Sequence, residues 1–253
     1  MELTVVDAFT DRAFAGNPAA VALVDGFPPD RRMQAVAREM NLSETAFAVA
    51  RGDGAYDLRW FTPAVEVDLC GHATLATAHV LGGSAEFHTR SGRLTCARSG
   101  DWVEMDFPAW TPTARPLPSL PRGLGTPVWT GVAGDDWLVQ LPSAEDVIEL
   151  SPDQAGIANV GRRAFVVTAR AQPGTDADVV SRVFAPNAGI PEDPVTGSAH
   201  CALAAYWCPR LGRDKLVGYQ ASARGGTVRM RLAGDRVVLS GQAVTVSKVA
   251  LLA

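Results

Sequence analysis

Apolar and polar positions follow two periods along this chain, and the change from one to the other marks its elements. Leu3 to Phe9, with β-branched Thr4, Val5 and Val6, reads as a strand, and Ala19 to Val24 as a second. Phe14-Ala15-Gly16-Asn17-Pro18 between them is a turn by composition. Pro28-Pro29-Asp30 opens a helix whose Met33, Val36, Ala37 and Met40 form an i, i+3, i+4, i+7 stripe. Asn41-Leu42-Ser43-Glu44-Thr45-Ala46-Phe47 then leads into an apolar strand and puts Glu44 at an element boundary, where functional side chains are often displayed. A further strand, Tyr56 to Phe61, runs through Thr62-Pro63 into the loop Glu66 to His72.

Two stretches break the amphipathic rule. From Leu69 to Ala85, and again from Pro194 to Pro209, there is no Asp, Glu, Lys or Arg. A helix without charge on any face is buried all round, and small residues such as Ala73, Thr74, Ala76, Thr77 and Ala78 let neighbouring backbone approach. Two such helices imply two sheets, each wrapped around its own helix. Between them Pro108, Pro112, Pro116, Pro118 and Pro121 read as a linker. The expected organisation is therefore an N-terminal lobe at 1–110, a linker at 111–121 and a C-terminal lobe at 122–243. The last strand, 244–253, is a candidate to complete the first lobe.

The chain also repeats itself across that linker. Arg59-Trp60-Phe61-Thr62-Pro63 matches Arg182-Val183-Phe184-Ala185-Pro186 at an offset of 123. Gly71-His72-Ala73 matches Gly197-Ser198-Ala199 at 126, and Asp101 to Met105 matches Asp235 to Leu239 at 134. Any one pair is what chance gives between short strands, but three in the same order point to a duplicated fold.

Composition narrows the function classes. With 47% hydrophobic and 20% charged residues, a net charge of −4 and a pI near 5.6, the chain reads as globular and offers no basic footprint for nucleic acid or an acidic membrane surface. No window approaches a membrane span and the N-terminus has no secretion signature, so the expected location is cytoplasmic. Cys70, Cys96, Cys201 and Cys208 are then expected as reduced thiols. Neither they nor His72, His79, His88 and His200 have a metal-binding spacing, and no metal is expected.

The candidate chemistry sits at the two uncharged helix starts. The first N–H groups of a helix lack partners and carry partial positive charge, and glycine lets a ligand approach them. Gly71-His72 and Gly197-Ser198 are thus candidate cradles for a carboxylate or a developing enolate-like oxygen. The plainer alternative makes Ser198 an N-cap and His72 a satisfied polar residue. Aligning Phe47-Ala48-Val49 with Phe165-Val166-Val167, at 118, puts Arg162 opposite Glu44, while the 126 offset puts Asp193 opposite Val67. The halves then differ in their acids, and a cleft between them would take Glu44 and His72 from one side, Asp193 and Ser198 from the other.

Gly16-Asn17-Pro18, Asn41-Leu42-Ser43-Glu44-Thr45, Cys70-Gly71-His72-Ala73-Thr74, and Phe184-Ala185-Pro186 through Glu192-Asp193-Pro194-Val195-Thr196-Gly197-Ser198-Ala199-His200 closely resemble the PhzF family, the phenazine-biosynthesis-like isomerases. The likeness covers nearly the whole chain. It implies a diaminopimelate-epimerase-like α/β (α+β) fold of two similar lobes, each a curled mixed sheet around a central helix, with no cofactor and commonly a homodimer. It implies isomerisation of a small carboxylated ring, as with trans-2,3-dihydro-3-hydroxyanthranilate. On this resemblance Glu44 is the acid/base, His72, Asp193 and Ser198 are its polar partners, and Asn17, Ser43, Gly71 and Gly197 lie around the ligand.

Two rival readings remain open at this point. Related epimerases and racemases use two Cys-Gly helix starts, but here Cys70-Gly71 is matched by Thr196-Gly197, and a threonine hydroxyl is too weak an acid or base for that role. A binding protein on the same fold is the other, because motifs alone do not guarantee turnover.

Overall fold

The strand and helix pattern is realised in a computed structural model that describes every residue except Asp53 and Ala253. The chain divides into two units, one formed by Met1–Asp106 with Ser240–Ala253 and the other by Phe107–Leu239. The first contains β1 (Glu2–Ala8), β2 (Asn17–Val24), α1 (Asp30–Met40), β3 (Glu44–Ala50), β4 (Ala55–Phe61), β5 (Glu66–Val67), α2 (Gly71–Val80), β6 (Ala85–Thr89), β7 (Gly92–Ser99) and most of β8 (Trp102–Pro108). The second contains β9 (Thr113–Ala114), β10 (Trp129–Ala133), β11 (Asp136–Gln140), α3 (Ala144–Ile148), α4 (Gln154–Val160), β12 (Ala164–Arg170), β13 (Val179–Ala185), β14 (Ile190–Asp193), α5 (Gly197–Leu211), β15 (Lys215–Gln220), β16 (Gly226–Ala233) and the start of β17 (Arg236–Gly241). The closing strand, β18 (Ala243–Ala250), belongs to the first unit, where it pairs antiparallel with β1. Ala253, at the end of the expected last strand, lies outside the described residues.

In the first unit β1 pairs antiparallel with β2, β2 parallel with β3, β3 antiparallel with β4, β4 parallel with β6 and β6 antiparallel with β7. In the second unit β10, β11, β12, β13, β15 and β16 repeat that order and those senses. Each parallel step carries a helical crossover, as parallel pairing requires. Duplication is therefore written in the hydrogen-bond ladders as well as in the short sequence matches.

Successive residues of a strand face opposite sides of the sheet, so each unit can serve two layers. Ala20 and Ala22 of β2 and Phe47 of β3 pack with Met33, Val36 and Ala37, the expected stripe of α1, while Met40 is partly buried against the same cluster. The other side of the sheet holds α2, which packs against β1, β2, β3 and β18 and is buried from His72 to Ala78. Burying hydroxyls there is tolerable because Thr74 and Thr77 donate to the carbonyls of Cys70 and Ala73, one turn back, at 2.5 and 2.7 Å. In the second unit α3 and α4 cover a cluster including Trp137, Val139, Phe165, Val167 and Phe184. Helix α5 packs on β15 and β16 and is buried over most of its length.

The Pro-rich passage expected as the linker carries structure of its own. Thr113 and Ala114 pair with Val132 and Gly131, Leu117 packs against the core of the second unit, and Pro121 is buried. Prolines flank a two-residue strand at a sheet edge, where a missing N–H costs least. Among the described residues, no helix is long and apolar enough to cross a membrane.

His200, in α5, is fully buried, with Nδ1 2.8 Å from the Thr196 carbonyl and, among the described residues, no hydrogen-bond partner at Nε2. Burial pushes its pKa down to about 4, against a smaller opposing effect of the Thr196 carbonyl. The unfolded chain takes up this proton near pH 6.5 and the native chain does not. The stability that neutral His200 contributes is complete above that pH and is lost as pH falls towards 4, by about 3 kcal/mol. Urea denaturation of wild type and His200→Gln at pH 7.5 and 4.5 should show the variant losing less stability on acidification; parallel losses would contradict this assignment.

Candidate active site

Each buried helix is fed by a short return strand, and an arginine fixes that return. Arg59 on β4 forks onto Glu66 of β5 through Nε and Nη2, both at 2.7 Å. Arg182 on β13 forks onto Glu192 of β14 at 2.7 and 2.9 Å. Both guanidinium groups also lie over a phenylalanine two residues on, Phe61 at 5.3 Å and Phe184 at 5.0 Å from the ring centre. The chain leaves these return strands and enters α2 at Gly71 and α5 at Gly197, equivalent points 126 residues apart.

Neither helix start is capped by its own N-cap side chain. Cys70 precedes α2 and makes no cap bond, and Thr196 precedes α5 and makes none either. The surface helices of the second unit contrast with this, since Ser143 caps α3 in a reciprocal box and Asp153 caps α4. Ser198 is thus not the N-cap of α5. Thr196 turns its hydroxyl to Asp193 Oδ2 at 2.5 Å, and the buried Gln220 accepts from Thr196 N at 2.9 Å while donating to the Asp193 carbonyl at 2.6 Å.

In the first unit, Asn17 opens β2, Glu44 opens the parallel strand β3, and His72 is the second residue of α2. These three element ends meet. His72 Nε2 lies 3.0 Å from Glu44 Oε2, and the two residues are 4% and 9% exposed. The two atoms are at ion-pair distance but out of line for a hydrogen bond, and neither has another hydrogen-bond partner among the described residues. On the far side of the ring, Nδ1 is 3.2 Å from Asn17 Nδ2 and 3.5 Å from Cys70 Sγ. An amide carries a donor and an acceptor, so Asn17 can hold Nδ1 in either protonation state of the ring. Ser43 is half-buried just before Glu44.

Burial by itself pushes His72 down, but the groups at its two ring nitrogens, the Cys70 sulfur and the Glu44 carboxylate, outweigh that and hold its pKa above the ordinary histidine value, the carboxylate being the one that carries the charge while the thiol is protonated. Cys70 moves the other way from a reactive thiol. Its burial, reinforced by the Glu44 carboxylate and only partly opposed by His72, raises the pKa and keeps the sulfur protonated.

Glu44, Cys70 and His72 offer ligand atoms within 4.8 Å of one another. Cys70 faces Nδ1 and Glu44 faces Nε2, however, and the two ring nitrogens point in divergent directions. The three fit a proton relay through the ring better than chelation of one ion.

In the second unit, Ser198 Oγ accepts from Arg163 Nη2 at 3.1 Å, and Arg163 forks onto the buried Asp136 through Nε at 3.0 Å and Nη2 at 2.5 Å. Glu44, His72 and Asn17 are thus gathered in one unit. Asp193 and Ser198 serve separate networks in the other. Sequence reasoning missed Asp136, Arg163 and the bond from Gln220, and left the role of Cys70 open. It also placed Arg162 opposite Glu44. Paired strands show Phe47 opposite Arg59 and Val167 opposite Arg182, which makes the offset here 120 and puts Ala164 opposite Glu44.

The family profile for phenazine biosynthesis-like protein, PhzC-PhzF, matches residues 6–249. The chain belongs to the PhzF family. An isomerase of Pseudomonas aeruginosa is 50% identical over 253 residues, covering 96% of each chain. A solved PhzF family protein of Enterococcus faecalis superposes with a TM-score of 0.91 at 39% identity, over 98% of this chain and 97% of that one. The fold extends to a probable proline racemase of Agrobacterium radiobacter, with a TM-score of 0.63 at 13% identity, over 99% of this chain and 92% of that one. PhzF relatives carry the name isomerase, and this chain is an enzyme of that isomerase family.

All four cysteines of this PhzF protein are free and buried. Titration with a thiol-reactive disulfide should label none of them within minutes in the native state and all four in denaturant. Rapid labelling of native Cys70 would contradict the protonated, enclosed thiol described above.

Proposed function

We propose that this chain is a cofactor-independent isomerase that moves a proton on a small, cyclic, carboxylated substrate, with Glu44 as the general acid/base. The observation that carries the reading is the buried Glu44–His72 pair at 3.0 Å, whose facing atoms have no other partner among the described residues. A carboxylate enclosed beside a histidine that favours its charged form can take a proton from carbon and give it back without bulk water. For a substrate such as trans-2,3-dihydro-3-hydroxyanthranilate, the C–H electron pair becomes part of a shifted double bond and the proton passes to a Glu44 oxygen. Glu44 then returns a proton to a second ring carbon, so the atoms of substrate and product balance. His72 steadies the carboxylate, and Asn17 steadies His72. The family resemblance assigns Ser198 and Asp193 to the same reaction as polar partners of Glu44; we give Ser198 the part of a donor to a substrate oxygen, and Asp193 accepts the Thr196 hydroxyl before α5.

A second reading is favoured by one contact, Cys70 Sγ at 3.5 Å from His72 Nδ1, the pairing that a thiol-based epimerase would use. The raised pKa of Cys70 argues against it.

Glu44→Gln should lower kcat by about 10²–10⁴-fold and abolish solvent-deuterium incorporation into trans-2,3-dihydro-3-hydroxyanthranilate, whereas Cys70→Ser should keep both. Activity lost with Cys70→Ser and kept with Glu44→Gln, with inversion of a stereocentre on chiral analysis, would establish the epimerase instead.

A further inference from the structure

The strand registers show what each half placed at equivalent points. In the first unit Ala19 of β2 faces Glu44 of β3, and in the second Asp136 of β11 faces Ala164 of β12. Arg163 therefore stands where the first half has Ser43, Asp136 where it has Ala19, and Ser198 where it has His72. One half answers the other with different chemistry. A titratable ring next to a carboxylate in the first unit becomes, in the second, a hydroxyl next to a permanently charged guanidinium.

The second unit holds that guanidinium firmly. Asp136 is almost wholly enclosed, its side chain 3% exposed, and both its oxygens accept from Arg163, whose own side chain is 42% exposed. Backbone geometry adds to this, because Arg163 N donates to the Asp135 carbonyl at 3.0 Å. The preceding Arg162 adopts a left-handed φ of 72°, a conformation that non-glycine residues hold only when their surroundings impose it. Asn187 Nδ2 grips its carbonyl at 3.0 Å, and Arg162 Nη1 donates to the Gly134 carbonyl at 3.2 Å. With Nη2 of Arg163 donating to Ser198 Oγ, one lone pair of the hydroxyl is engaged and its proton is directed away from the guanidinium. Such a hydroxyl is set to donate, and the charge beside it makes it a better donor to an anion.

We propose that Arg163, anchored by Asp136, is a positioning residue that fixes Ser198 as a hydrogen-bond donor and makes the start of α5 select a carboxylate over its neutral counterpart. The inference rests on the reading of Ser198 as a substrate contact. It does not depend on Glu44 being the base, and binding alone can test it.

Anthranilate and 2-aminobenzamide share a ring and differ in charge, and their affinities can be compared by calorimetric titration. Arg163→Gln alone would leave Asp136 as a buried uncompensated carboxylate and could unfold the unit. The double variant Asp136→Asn/Arg163→Gln removes both charges together and is the informative protein, with Ser198→Ala and the triple variant completing a cycle. Wild type should bind the acid about tenfold more tightly than the amide. The double variant should lose that preference with little change for the amide, and adding Ser198→Ala should cost nothing further. With trans-2,3-dihydro-3-hydroxyanthranilate the loss should fall on KM more than on kcat. Equal losses for acid and amide, additive losses in the cycle, or a wild type without preference for the acid would overturn the proposal. None of those results would touch the deuterium-exchange test of Glu44, so the two readings fail separately.

Discussion

An arginine forked onto a glutamate, once in each half, sets where the central helices begin. Arg59–Glu66 and Arg182–Glu192 tie a long strand to the short return strand beside it, and the next few residues enter α2 and α5. Pairs this enclosed contribute little net stability compared with apolar residues of similar shape, but breaking one leaves a charge without compensation. What they supply is position. A helix start without a side-chain cap depends on its lead-in for position, and the same lead-in is kept in both halves while the residues at the helix start differ.

That divergence is the chemical content of the fold. The first half places an acid, an imidazole and an amide at three element ends, so that a proton can be held between Glu44 and His72. The second half places Asp136, Arg163 and Ser198 at corresponding positions, a set that holds charge fixed. Cys70 and Thr196, the equivalent residues before the two helices, are also used differently. One is a protonated thiol beside His72, and the other gives its hydroxyl to Asp193.

Much of this was legible in the sequence because it rests on patterns that burial dictates. Helices α2 and α5 announced themselves by lacking charge, α1 by its stripe, and the duplication by three ordered matches. The 118 offset failed for a physical reason. Alternation in a strand has a period of two, so a slip of two residues leaves every side chain on its correct face and apolar matching cannot detect it. Only the ladder register separates 118 from 120, and with it Arg162 from Ala164 as the counterpart of Glu44. The Asp136–Arg163 pair spans 27 residues and was invisible for the same reason. The Pro-rich passage misled in the opposite way, since proline at a sheet edge looks in sequence like proline in a linker.

The central claim is that Glu44 and His72 are one buried proton-handling unit, and the titration of His72 tests it most directly. Burial alone would lower its pKa, so only the neighbouring groups can raise it. Proton and nitrogen NMR of the histidine ring should find wild-type His72 titrating well above about 6.5, the ordinary value, and Glu44→Gln should bring it down. A His72 that titrates at or below the ordinary value in wild type, or that is indifferent to Glu44→Gln, would contradict the account.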